Sequence, residues 1–266
     1  MDAARTPVCT LKACLNGKRT RAEYPAVPVT PAELASEAAA AVAAGAEAVH
    51  LHARNPAGAE SVQAADVGAA VAAVRQACPD TPVGVSTGLW ITGGDPATRQ
   101  AGVAGWAALT AAGRPDFASV NISEAGWAEV AHTLAATGIG IEAGVWSVAD
   151  VRRLTTTPDL PPLLRVMMEV PASPPVNAVA AGQELLRAVR ESALRDEWLL
   201  LHGADDGCWP LIDLAGELGL ATRIGLEDTL TGPAGERVTG NGDLVHLALA
   251  TLQTAGQPPG RITEGG

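Results

Sequence analysis

Residues 30–54 read TPAELASEAAAAVAAGAEAVHLHAR, and this stretch carries the plan of the whole chain. Thr30 can cap a helix, Pro31 suits its first position, and Glu33 places an acid in its first turn. Alanine-rich sequence then runs to Ala44, where Gly45 offers a stop. A short apolar run over 48–53 predicts a strand, and along a strand alternate side chains share a face. His50 and His52 therefore point the same way at the end of that strand, just before Arg54, Asn55 and Pro56.

The same alternation recurs in both directions. Strands are predicted over 8–15, 48–53, 82–86, 117–120, 140–145, 163–170, 198–202 and 222–226. Helices are predicted over 31–44, 63–77, 96–111, 127–137, 149–155, 176–194, 210–218 and 243–255. Gly113, Gly138 and Gly219 mark further helix ends. No linker or shift in composition divides the series, so a single domain over 1–266 is expected. Strand–helix units in this number predict an α/β protein of the (β/α)8 TIM barrel type, ahead of an open doubly wound sheet. In such barrels the functional groups gather at the carboxyl ends of the strands.

Of the 266 residues 47% are hydrophobic but only 3% aromatic, so the core must be built from Ala, Val, Leu and Ile in closely approaching elements. A net charge of −11 argues against a general surface for nucleic acid or anionic lipid, though not against a local cationic pocket. Cys9, Cys14, Cys78 and Cys208 form no CxxC pair, as expected of reduced, mostly buried thiols in a cytoplasmic protein. The first 10 residues hold no signal-peptide core. No segment reaches the roughly 20 apolar residues of a membrane span.

Two histidines one residue apart on a strand can each give a nitrogen to a divalent metal. Alternatively, one is a hydrogen-bonded core residue and the other is merely half-exposed. The last strand ends Arg223-Ile224-Gly225-Leu226-Glu227-Asp228-Thr229. In a closed barrel this end lies roughly 10 Å from that of strand two, across strand one. Glu227 can then complete a two-histidine, one-carboxylate site with a position left open for substrate. Glu227 and Asp228 could also serve simply as helix-capping acids.

Strand three leaves through Ser86-Thr87-Gly88 and strand four through Asn121-Ile122-Ser123-Glu124, groups able to hold a carboxylate or a developing enolate oxygen, or to make ordinary turns. Glu142 lies inside an apolar strand, where an acid is expensive without a partner. His202 is a candidate pocket residue, whereas His132 and His246 fall on predicted helices and belong to the surface or core edge. Neither Gly93-Gly94-Asp95 nor Gly203-Ala204-Asp205 forms a phosphate-binding fingerprint, and the chain has no Walker or GxSxG sequence.

Val49-His50-Leu51-His52-Ala53-Arg54, the Ser86-Thr87-Gly88 turn and Arg223-Ile224-Gly225-Leu226-Glu227-Asp228-Thr229-Leu230 together resemble the β-keto acid cleavage enzymes. The likeness keeps the same order from Thr10 to about Thr251, and includes the Thr30-Pro31 helix start and Gly240-Asn241 before the final helix. The resemblance implies a zinc-dependent barrel that converts a β-keto acid and acetyl-CoA into acetoacetate and a new acyl-CoA, through a metal-bound enolate and a retro-Claisen step. It implies His50, His52 and Glu227 as zinc ligands and Asp228 as the base, oriented by Arg223. Ser86, Thr87, Gly88, Asn121, Glu142 and Arg54 would bind or position the substrate.

Two stretches depart from the family pattern: Leu15-Asn16-Gly17-Lys18-Arg19-Thr20-Arg21 after strand one, and Glu169-Val170-Pro171-Ala172-Ser173-Pro174-Pro175 after strand six. Lys18, Arg19 and Arg21 could meet an anionic substrate group or the phosphates of CoA. A CoA-independent aldolase or isomerase and a metabolite-binding barrel without turnover are the alternative readings. Small molecules are the expected partners, and a homo-oligomer is the expected assembly.

Overall fold

The computed structural model describes residues 10–192, 194 and 199–255. Among these, strands and helices alternate: β1 Leu11–Cys14, α1 Pro31–Ala43, β2 Ala48–Leu51, α2 Ala64–Ala77, β3 Val83–Ser86, α3 Pro96–Ala104, β4 Phe117–Asn121 and α4 Trp127–Ala136. The second half continues β5 Gly140–Val145, α5 Val148–Thr156, β6 Arg165–Val170, α6 Pro175–Glu191, β7 Leu199–Gly203, α7 Cys208–Leu218, β8 Thr222–Ile224 and α8 Asn241–Ala255. All strand pairs are parallel, in the order β7-β6-β5-β4-β3-β2-β1-β8.

The two ends of this sheet meet. Leu200 bridges Ala221, the Leu201 N–H donates to the Ala221 carbonyl at 2.9 Å, and Thr222 Oγ1 donates to the Leu201 carbonyl at 2.7 Å. The result is the nearly closed (β/α)8 barrel that the alternation predicts. Val8, Cys9 and Trp198, expected in the first and seventh strands, lie outside the described residues.

Local chemistry sets most boundaries. Thr30 accepts from the Glu33 N–H at 3.3 Å while Glu33 accepts from the Thr30 N–H at 2.9 Å, a reciprocal cap that starts α1. The helix predicted over 96–111 stops instead at Ala104 and tightens into a 3-10 turn over Gly105–Ala108. The cause is tertiary: Trp106 is fully buried and its indole N–H reaches the Val62 carbonyl at 2.8 Å, pulling the chain off the helical path. No helix of the described residues is long and apolar enough to cross a membrane.

Strand alternation sorts side chains between two cores. Leu11, Ala13, Val49, Leu51, Val83 and Val85 face outward into one large apolar cluster shared with the helices. The barrel interior is different: it holds small apolar groups, Ala48 with Phe117 and Met167 with Leu200 and Ala221, among buried Lys12, His50, Glu142, Arg165, His202 and Arg223. Gly84 makes room for the Phe117 ring, since a Cβ there would sit 2.0 Å from it. Gly84→Ala should therefore cost about 1–3 kcal/mol by overpacking, read as a lower denaturant midpoint; an unchanged midpoint would count against this packing.

Glu142 finds the partner its position demands. Lys12 Nζ donates to its two oxygens at 2.7 and 2.6 Å, and Arg165 Nε stands 3.1 Å from Oε1. Burial would push the Glu142 carboxyl up, but Lys12 and Arg165 outweigh it and hold the group at about 2. With a folded value below the ordinary carboxylate one, this pair stabilises the fold above about pH 4.5, and its contribution is lost as pH falls towards 2. Glu142→Gln leaves Lys12 charged and buried, so chemical denaturation at pH 7 should show a loss of about 3–5 kcal/mol. The variant should also lose part of the wild-type stability decline between pH 5 and 2. A variant as stable as the parent would remove the pair as a structural element.

Candidate metal centre and its surroundings

Three elements converge at the carboxyl end of the barrel. β2 delivers His50 and His52, which are 1% and 4% exposed. β1 fixes their backbone: the Leu15 N–H donates to the His50 carbonyl at 2.9 Å. The Asn16 amide then continues the ladder with its side chain, accepting from the His52 N–H at 2.9 Å and donating to the His52 carbonyl at 2.9 Å. Just past β8 comes Gly225, where a Cβ would stand 1.9 Å from the Cys14 carbonyl, so only glycine lets the chain turn there against β1. That turn places Glu227 between the strands, and its Cγ lies 2.4 Å from where a Cβ on Gly17 would sit.

His50 Nε2 and His52 Nε2 stand 3.8 and 3.7 Å from Glu227 Oε2. Those separations are too long for hydrogen bonds. They are close to the edge of a tetrahedron whose centre lies about 2.0–2.2 Å from each ligand atom. Glu227 Oε2 is buried with no hydrogen-bond partner, which is what a carboxylate awaiting a cation would look like. One ligand atom from each of the three residues falls within 4.8 Å of the others, the grouping of this kind found among the described residues.

In the metal-free pocket the two imidazoles differ: His50 is neutral, whereas His52 holds a second proton that a cation would displace. Burial drives His50 down to about 3, against the opposing pull of Glu227, so it is a neutral donor. Burial would also lower His52, but Glu227 and Glu60 outweigh it and raise it to about 9. Burial would raise Glu227, yet Arg223 and the two histidines hold it well below the usual carboxylate range.

Arg223 of β8 organises the acids. Its Nη2 donates to Glu227 Oε1 at 2.9 Å and to Asp228 Oδ1 at 2.7 Å, and Nε donates to Asp228 Oδ1 at 3.1 Å. Asp228 Oδ2 is left buried and unpartnered. Burial raises the Asp228 carboxyl, with Arg223 acting against that shift. Arg223 Nε also donates to His202 Nδ1 at 3.1 Å, and His202 Nε2 faces Glu169 Oε2 at 3.4 Å. His202, a candidate from its place at the end of β7, is thus joined to this cluster; His132 and His246 are exposed on α4 and α8.

The remaining expected residues lie in varied settings. Ser86 Oγ accepts from the Gly88 N–H at 3.2 Å, and Asn121 Nδ2 donates to Glu124 Oε1 at 2.9 Å. Thr87 Oγ1 donates to the Ser119 carbonyl at 2.6 Å. Arg54 Nη2 donates to the carbonyls of Gly17 and Arg19, the latter at 3.1 Å. Glu142 is held by Lys12 within the barrel interior. Of the loop cations, Arg19 pairs with Asp205 at 2.5 Å and donates to the Glu227 carbonyl at 3.2 Å, Arg21 pairs with Glu33, and Lys18 is exposed. Cys14, Cys78 and Cys208 are free and buried, and burial pushes the Cys14 and Cys208 thiols far up, away from reactivity.

Two histidines, a glutamate and an arginine-held aspartate thus form a candidate metal centre at the carboxyl end of a parallel barrel, the end at which (β/α)8 barrels carry their functional groups. The family model of the beta-keto acid cleavage enzyme matches residues 9–264, and the chain belongs to that family. A 3-keto-5-aminohexanoate cleavage enzyme from Fusobacterium nucleatum subsp. nucleatum is 39% identical over 69 residues, 26% of this chain and 25% of that protein. The apo structure of ObcA superposes with a TM-score of 0.66 at 19% identity, covering 87% of this chain and 63% of that one. A ternary complex of ObcA with a C4-CoA adduct and oxalate gives 0.67 at 18% identity, over 87% and 65% of the respective chains. At these identities the likeness to ObcA is one of fold. The match spans a quarter of the curated relative and just under two thirds of the ObcA chains.

Proposed function

We propose that the chain is a zinc-dependent β-keto acid cleavage enzyme that takes acetyl-CoA as its second substrate. The observation that carries this reading is how Arg223 divides the two acids. It occupies Glu227 Oε1 and Asp228 Oδ1, and leaves Glu227 Oε2 and Asp228 Oδ2 buried without partners. One free oxygen suits a cation and the other a proton.

His50, His52 and Glu227 would hold the ion, and a donor set of two imidazoles and a carboxylate suits zinc. When bound, the ion supplies Lewis acidity that makes a neighbouring carbon acid easier to ionise. Asp228 Oδ2 takes the proton from the carbon between the keto acid's two carbonyls, and burial makes it a stronger base than a solvated carboxylate. Arg223 keeps Asp228 oriented through Oδ1. The carbanion would bond to the acetyl thioester carbon as the C–S bond breaks and CoA thiolate leaves. The thiolate would then attack the original keto carbon, whose bond to the former methylene carbon breaks. This gives the new acyl-CoA and an acetoacetate carbanion that takes the proton back from Asp228.

Ser86 keeps its hydroxyl proton to donate to a substrate oxygen, and Asn121 lies on the next strand, two residues beyond Ser119, the register partner of Ser86. Thr87, Gly88, Arg54 and Glu142 shape the site through the groups they hold. ObcA has been captured with oxaloacetate and with a C4-CoA adduct, which supports a keto acid and CoA as ligands of a barrel of this form.

The test is to incubate the zinc-loaded protein with a panel of β-keto acids and acetyl-CoA. Acetoacetate should appear only when acetyl-CoA is present. Acetoacetate formed without it would instead indicate an aldolase-type reaction and overturn the CoA assignment. Strong thermal stabilisation by a keto acid with no turnover would leave a binding barrel.

A further inference from the structure

We propose that Glu60 and Trp90 are positioning residues that lock His52 in the orientation and tautomer needed to ligate through Nε2. This rests on the metal-centre reading above.

The feature begins in the loop after β2. Asn55 Oδ1 accepts from the N–H groups of Ala57 and Ala59 at 2.9 and 3.1 Å, Gly58 takes a positive φ of 81°, and the chain reverses so that Glu60 bridges Arg54 in antiparallel fashion. The reversal brings a carboxylate eight residues downstream back onto the histidine: Glu60 Oε1 lies 2.5 Å from His52 Nδ1. An ionised carboxylate can only accept, so Nδ1 carries the hydrogen, and the ring's other nitrogen is the one facing Glu227.

Trp90 closes the arrangement from the other side. It sits on the short 3-10 turn Leu89–Thr92 that follows β3, and it is 41% exposed, yet it is held at three points. Its ring stacks on His52 with centroids 6.2 Å apart and planes 25° from parallel. Its Nε1 donates to the Glu60 carboxylate at 3.3 and 3.1 Å. It fills the space over Gly88, where a Cβ would meet the indole at 2.3 Å. Packed over Gly88, the indole keeps part of its surface in solvent and turns its N–H to Glu60. What it does is orient Glu60 and cover one face of the imidazole. By contrast, His50 Nδ1 has no hydrogen-bond partner among the described residues, so of the two histidines only His52 has a ring fixed by a carboxylate.

The test is zinc affinity, measured by competition with a chromogenic chelator, in the full chain and in Glu60→Ala, Glu60→Gln and Trp90→Phe. Loss of the carboxylate should weaken zinc binding about 10–100-fold, the usual effect of removing a carboxylate that orients a ligating histidine. Glu60→Gln keeps an acceptor and should recover part of that loss. Trp90→Phe keeps a ring but not the N–H, and should weaken binding by a smaller factor. Zinc should also change tryptophan emission in the unaltered protein, and that change should vanish in Trp90→Phe. A purely structural role would lower the melting temperature of the metal-free variants and leave zinc affinity unmoved; that result overturns the inference. Absence of zinc uptake by the unaltered protein would overturn the metal reading and this inference with it, whereas normal affinity in Glu60→Ala overturns this inference alone.

Discussion

Replacing His50 and Glu227 together with alanine should strip the protein of its divalent ion, from a stoichiometric level to background by elemental analysis. Each residue supplies one of three converging donors, and Glu227 Oε2 is the atom both imidazoles face. With two of three ligands gone, the lone His52 cannot hold a zinc ion against water, since zinc sites in proteins take three or four protein ligands. Turnover of a β-keto acid should fall with the metal, by about 10³-fold or more, because stabilisation of developing charge by a Lewis acid is worth several kcal/mol. The fold should survive the change. Arg223 would keep Asp228 as its counter-charge, and the outward faces of β2 and β8 that pack against the helices are untouched. Stoichiometric zinc remaining in the double variant would end the assignment of this site.

The barrel was legible because its strands separate two environments cleanly. Val49 and Leu51 face the helices while His50 and His52 face the interior, so a period of two marks β2 at a glance. Glu227 could be linked to them because a closed barrel sets only β1 between β2 and β8, whatever the loops do. The penalty on a buried acid marked Glu142 as needing a partner, but its identity was not readable. Lys12 lies 130 positions away, and only the barrel's closure joins them. Glu60 was missed for a similar reason. Its role depends on an Asn55-centred reversal, and in sequence it is simply an acid in a polar loop. Trp90 gave no signal because exposure and function coincide in it. Asn16 and Gly17 were legible as a loop but not as the pieces that fix His52 and admit Glu227. The early end of α3 was equally hidden, since the Trp106 to Val62 bond is tertiary and local propensity carries no trace of it.

Asp228→Asn should leave metal and fold intact while removing most of the turnover. The substitution keeps the shape of the side chain, and an amide oxygen at Oδ1 can still accept from Arg223 Nη2 and Nε. The Asp205 N–H donates to the main-chain carbonyl of Asp228, so that contact is unaffected. Arg223 keeps Glu227 as a full counter-charge, and none of the three metal donors is altered. What is lost is the free, buried carboxylate oxygen at Oδ2, which the amide nitrogen cannot replace as a proton acceptor. Removing a general base costs typically 10²–10⁴-fold, so kcat/KM should drop by about that factor, roughly 3–5 kcal/mol of transition-state stabilisation. KM for the keto acid should change little, because Asp228 acts on the C–H bond and not on the carboxylate. The step itself can be watched without CoA. In heavy water the unaltered protein should accelerate exchange of the keto acid's methylene protons above the background rate, and the variant should not. Exchange and turnover at near-normal rates in Asp228→Asn would remove it as the base, and would move the search for one to the neighbouring Glu169 and His202, which face the same arginine.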